Sequence, residues 1–159
     1  MIFILLLLNQ IDSTLLANLK EKPFKTEFVE VVQYKEMKTQ DTFRGNLTRK
    51  GSNIKMEVVY PSKETYLIRN DTLFVISQGK VTSYPLEEDA LKLLNFQFLS
   101  DTINYELKVS EDTLYLKSKK ESLFLMAKLV IQKGIPEILS IEDEEKILKF
   151  SFKKWKFYE

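Results

Sequence analysis

From residue 24 onward the chain alternates apolar and polar side chains in short stretches, and a turn signal interrupts them at close, regular intervals. Ile54, Met56, Val58 and Tyr60 give the clearest case, with Lys55 and Glu57 between them. A period of two places every second side chain on the same face of an extended strand, so one face is apolar and the other polar. Pro61-Ser62, Asn70-Asp71 and Gln78-Gly79 then separate Thr65–Arg69, Leu73–Ser77 and Val81–Pro85. Earlier strands are centred on Phe28, Val32 and Tyr34 and on Phe43, Gly45 and Leu47. Later ones are expected at Tyr105–Val109, Leu114–Lys117, Leu123–Gln132, Glu137–Ile141 and Ile147–Phe152. The strand rules give about eleven strands in all. Many short strands with only four glycines predict a mainly β fold: a barrel, half-barrel or sandwich of antiparallel strands.

Two helical interruptions are predicted. Asp12 or Ser13 can cap a short helix through Lys20 that places Leu15, Leu16 and Leu19 on one stripe, and Pro23 ends it. Between Glu87 and Leu99 the spacing of Leu86, Ala90, Leu91, Leu93 and Leu94 turns helical, after an acidic Glu87-Glu88-Asp89 start. No composition shift or linker divides the 159 residues, so residues 11–159 are expected to form a single β domain. The seven apolar residues Ile2 to Leu8 are too short for a membrane span, which needs roughly 20. They suit the core of a signal peptide over residues 1–10, hence export to the periplasm. The competing reading is a buried N-terminal segment of a cytosolic protein.

Composition removes whole classes of chemistry. The chain has no cysteine and no histidine, which excludes disulfides, thiol nucleophiles, Ser-His-Asp catalysis and the commonest transition-metal ligands. The acyl-bearing cysteine of a bacterial lipoprotein is excluded with them. A net charge of +1 gives no reason to expect nucleic acid as a partner. No spacing singles out a carboxylate pair or a Ser-Lys pair, so neither an enzyme nor a cofactor or metal site is expected. Glu142-Asp143-Glu144-Glu145 is expected to be a solvated hairpin tip. Lys149, Lys153, Lys154 and Lys156, with Trp155 and Phe157, could meet an acidic partner or a lipid headgroup; the competing reading is a final edge strand whose charge guards against aggregation.

The order of elements resembles the LolA-type carriers of outer-membrane lipoproteins. Phe24 and Phe28 hold the spacing of the two phenylalanines that open that family's first strand, and Glu30 replaces its usual glutamine. Gly45-Asn46-Leu47 matches the opening of its second strand. The alternating strand ending at Pro61 follows, and Leu73-Phe74-Val75 stands in the family's place for a strand with that apolar triplet. The resemblance implies an unclosed antiparallel β-barrel with short helices as a lid and an apolar interior that receives acyl chains. Phe28, Leu47, Ile54, Met56, Val58, Ile68 and Phe74 are the expected cavity residues. The bland alternative, that Ile54, Met56 and Val58 fill a dry core, stays open. Lys50 stands where the family carries an arginine that hydrogen-bonds the lid, and Arg49 beside it is the substitute. Leu15, Leu19, Leu91 and Leu94 are the expected lid contacts.

The function implied is that of a monomeric periplasmic carrier, or chaperone. It would shield the acyl chains of lipoproteins between an inner-membrane releasing complex and an outer-membrane acceptor. The alternative is another lipid- or partner-binding protein of the same fold, such as an envelope-stress sensor.

Overall fold

Two-residue connections that need a left-handed backbone set the register of several hairpins. Gln78 and Gly79 (φ 51° and 75°) join Thr72–Ser77 to Lys80–Pro85, and Lys133 and Gly134 (φ 52° and 71°) join Met126–Gln132 to Ile135–Glu142. Positive φ at both central residues is the geometry whose twist matches that of paired strands. The computed structural model describes residues 13–86, 90–101, 103–119 and 126–159; the side chains of residues 13, 14 and 90–92 are not among those described. The apolar leader lies outside the described residues.

The described elements are helix α1 (Ser13–Glu21), then β1 (Phe24–Tyr34), β2 (Gln40–Lys50), β3 (Asn53–Tyr60), β4 (Glu64–Arg69), β5 (Thr72–Ser77) and β6 (Lys80–Pro85). Two 3-10 helices follow, Ala90–Asn95 and Gln97–Ser100. The chain continues with β7 (Tyr105–Ser110), β8 (Thr113–Ser118), β9 (Met126–Gln132), β10 (Ile135–Glu142) and β11 (Lys146–Phe157). All eleven strands belong to one antiparallel sheet in the order β6-β5-β4-β3-β2-β1-β11-β10-β9-β8-β7. The edges β6 and β7 do not pair, so the barrel is unclosed. Every neighbouring pair is consecutive in the chain except β1 with β11.

One face of the sheet carries rows of mostly apolar side chains from β5 to β8. Leu47, Met56, Tyr66 and Val75 are successive cross-strand partners from β2 to β5, and Arg49, Ile54, Ile68 and Leu73 form the next row. On the other side of β1, Phe150, Leu139, Leu129 and Leu114 continue the face across β11, β10, β9 and β8. Leu15, Leu16 and Leu19 of α1 and Leu93, Leu94, Phe96 and Phe98 of the 3-10 region belong to the same buried cluster.

Two expectations are corrected here. Of the helical spacing expected between Glu87 and Leu99, the described residues form two 3-10 helices, Ala90–Asn95 and Gln97–Ser100, separated at Phe96, which is left-handed (φ 59°, ψ 15°), while Glu87-Glu88-Asp89 lies outside the described residues. A phenylalanine holds that disfavoured conformation only where surrounding contacts fix it. Its ring, fully buried, lies 5.8 Å from Phe24, 5.9 Å from Trp155 and 6.2 Å from Phe152. The last strand is also not an edge: β11 sits mid-sheet, with Lys153 and Lys154 reaching Glu27 of β1 at 3.8 and 3.1 Å.

Candidate functional site

The site is built around one arginine. Alternation along β2 puts Gly45, Leu47 and Arg49 on the inner face, and Arg49 is only 1% exposed. Its guanidinium donates to the carbonyls of Leu19 and Asn95 through Nη1, and to those of Asn18 (3.2 Å) and Lys22 (2.6 Å) through Nη2. The last carbonyls of a helix lack partners within it and carry the negative end of its dipole. Asn18 and Leu19 lie in the last turn of α1, Lys22 follows it, and Asn95 ends the first 3-10 helix. One planar fork of donors therefore ties both lid segments to the sheet. The guanidinium also stacks 4.7 Å above the Phe24 ring. Burial lowers its pKa to about 10, so it keeps its charge at neutral pH.

Arg49, not Lys50, makes this contact. Lys50 is exposed at the end of β2, beside the turn at Gly51, because it has the opposite parity to Leu47. The signal was available in the sequence: once Leu47 is taken as inward, so is Arg49.

Under the lid, Leu15 and Leu16 are each 6% exposed, and Leu19 and Leu94 are fully buried or nearly so. The side chain of Leu91 lies outside those described. Of the residues named for the cavity, Phe28, Leu47, Ile54, Met56, Val58 and Ile68 are all buried on the inner face. Phe74 is not on that face. It pairs with Leu67 on the outer face, while Leu73 and Val75 take the inner positions of β5. The run Leu73–Ile76 is apolar throughout, so period two could not assign its faces; the pairing of Ile68 with Leu73 does.

A cleft of about 740 Å3 opens beside the lid, between the end of α1, the 3-10 helices and Tyr105 of β7. Farther from the lid the inner face becomes more polar. Tyr66 donates a 2.6 Å hydrogen bond to Glu64, and Glu30 of β1 lies on this face between Phe28 and Val32. Burial raises the pKa of Glu30 to about 7 against the opposing pull of Lys146. The placement of Glu30 was legible in the sequence, because it shares the parity of Phe28.

Among the described residues no group of acidic side chains is arranged to hold a metal ion. At the acidic tip, Asp143 accepts from the backbone N–H groups of Glu145 and Lys146 at 2.8 Å each, and Glu142 pairs with Lys35 at 3.0 Å. No described helix is long and apolar enough to cross a membrane.

No family model matches the chain, and no curated protein matches it in sequence. Solved structures do match its architecture. A LolA superfamily protein from Nitrosomonas europaea superposes with a TM-score of 0.52 at 12% identity, covering 94% of this chain and 94% of that one. The fold is LolA-type. A DUF1329 family protein from Desulfovibrio piger gives a TM-score of 0.49 at 12% identity, covering 91% and 90% of the two chains. The lipoprotein LppX of Mycobacterium tuberculosis gives 0.43 at 12% identity, covering 91% and 96%. In this fold the unclosed sheet supplies the inner face, and Arg49 fastens the two helical segments over it.

Proposed function

We propose that this protein is a periplasmic carrier that shields the acyl chains of lipoproteins. One observation carries the reading: the apolar inner face is covered by two short segments outside the sheet, and a single side chain ties both to it through main-chain carbonyls. A core meant only to stay closed has no need of a separable cover. Lifting the cover would offer leucine and phenylalanine side chains to a guest, which gains about 0.8 kcal/mol for each methylene it buries. An adaptable interior suits guests of different length, and Met56 lies on the inner face between Leu47 and Tyr66.

The rest of the reading follows from this role. The cargo would be acylated lipoproteins, received from an inner-membrane releasing complex and delivered by the monomer to an outer-membrane acceptor. The apolar leader would be removed on export. Mass spectrometry of the protein from its native envelope is expected to find a mature N-terminus near residues 10–13; an intact Met1 on a cytosolic species would remove the export claim.

The cavity is tested by Met56→Glu, with an acylated peptide as ligand. A carboxylate kept charged beside acyl chains costs several kcal/mol, so binding is expected to weaken by at least tenfold, on the order of 1.4 kcal/mol or more. Circular dichroism should still show the sheet. Unchanged affinity in the folded variant would mean that the guest does not touch this face.

A further inference from the structure

The inner face carries a carboxylate in the middle of its apolar rows. Across the sheet, Leu114, Leu129, Leu139 and Phe150 lead by successive pairing to Glu30, and Phe43 follows on its other side. Along β1 its same-face neighbours are the buried Phe28 and Val32. Among the described residues no hydrogen bond or ion pair reaches Glu30. The titratable groups around it are few. Lys146 on β11 attracts its charge. Tyr66 on β4 feels that charge but directs its own hydroxyl to Glu64. Asp41 of β2 stands exposed at the rim, opposite Val32. On β10, Leu139 and Ile141 carry no charge, and Glu137, at the bulge between Pro136 and Ile138, buries one carboxylate oxygen that has no hydrogen-bond partner among the described residues.

We propose that Glu30 couples filling of the cavity to uptake of a proton, so that the protein holds an apolar guest more tightly in mild acid than in mild alkali. This rests on the carrier reading and adds the regulation of its site. A chain laid along the row from Leu114 to Phe43 would strip the remaining water from the carboxyl group and bring no hydrogen-bond donor to replace it. Desolvation disfavours the charged form, so the filled protein keeps the proton to higher pH than the empty one. Burial already raises the empty-state value to about 7. Linkage then fixes the sign. Below both values the group is neutral throughout and affinity is highest; between them affinity falls by up to about tenfold per pH unit; above both it is lowest and level.

The test uses the full chain and Glu30→Gln, with the uncharged dye N-phenyl-1-naphthylamine as probe, so that the ligand itself does not titrate. Dissociation constants would be measured at about pH 6 and about pH 8.5, on either side of the interval that linkage makes sensitive. The unsubstituted protein is expected to bind at least about fivefold more tightly in acid. Glu30→Gln should bind equally at both values, close to the acid affinity of the parent. Thermal unfolding at both pH values would verify that each protein is folded. Parent affinity that does not change with pH would overturn the coupling and leave the carrier reading standing. So would a pH dependence that Glu30→Gln retains, since another group would then be responsible. Failure of both folded proteins to bind the dye at either pH would count against the carrier reading itself, and the coupling would fall with it.

Discussion

Replacing Arg49 with methionine is expected to release the lid while leaving the sheet folded. Methionine fills similar space over Phe24 but has no donor for the carbonyls of Asn18, Leu19, Lys22 and Asn95. The carbonyl of Asn18 keeps the N–H of Lys22 at 2.9 Å, but each of the other three left buried without a partner costs about 1–3 kcal/mol, so keeping them under the closed lid would cost more than most single substitutions do. Opening avoids that penalty, because water can then reach the carbonyls. The loss should therefore be local. Backbone amides of α1 and residues 90–100 are expected to exchange roughly a hundredfold faster, which corresponds to about 3 kcal/mol, while those of β9 and β10 stay protected. Hydrophobic dye should enter the variant faster than the parent. Arg49→Lys should fall between the two, since three mobile donors cannot span carbonyls from both segments as a fixed fork does. Undiminished protection of α1 in Arg49→Met would show that leucine packing alone holds the lid.

The second large effect is expected at Gly45. A Cβ built there would lie 1.9 Å from the carbonyl oxygen of Glu57 on β3 and 3.0 Å from the Cα of Val58, both backbone atoms. No rotamer change relieves such a clash. The backbones approach this closely where the β2–β3 register shifts between Arg44 and Gly45. Glycine permits the approach, as it does at other sheet irregularities. Gly45→Ala must either separate two central strands or slide their register, and about 3–5 kcal/mol of destabilisation is expected. Urea unfolding would measure it. A loss below about 1 kcal/mol would mean that the two strands can part here without consequence.

The meander was legible because its determinants are local. Alternation assigns faces, and Asn70-Asp71, Gln78-Gly79 and Lys133-Gly134 supply residues suited to tight turns. Where local signals were silent, assignment failed. The apolar run Leu73–Ile76 has no period, so nothing local shows that Phe74 faces out. The position of β11 depends on its pairing with β1, far away in the chain, and no nearby residue encodes it. The spacing of leucines near residue 90 suits either helix type; burial of Phe96 among Phe24, Phe152 and Trp155 accompanies the break at that residue. The choice between Arg49 and Lys50 as the basic residue of the lid is open to error for a different reason. Matching a family by position tolerates a slip of one, and in a strand a slip of one exchanges the two faces.

The seam between β1 and β11 bears on how the chain acquires its shape as it is made. The hairpins β1–β6 and β7–β11 each grow from neighbouring segments, so either half can form as soon as its own residues are available. Their union waits for Lys146–Phe157, whose partners in β1 include Phe24, opposite Phe157, and the N–H of Tyr158 then closes onto the carbonyl of Pro23. Loop-closure entropy grows only slowly with length, but no contact across the seam offsets it until the final strand is free. Until Lys146–Phe157 pairs with β1, the chain therefore has two half-sheets and no finished interior. The apolar face becomes whole only when that one strand is in place.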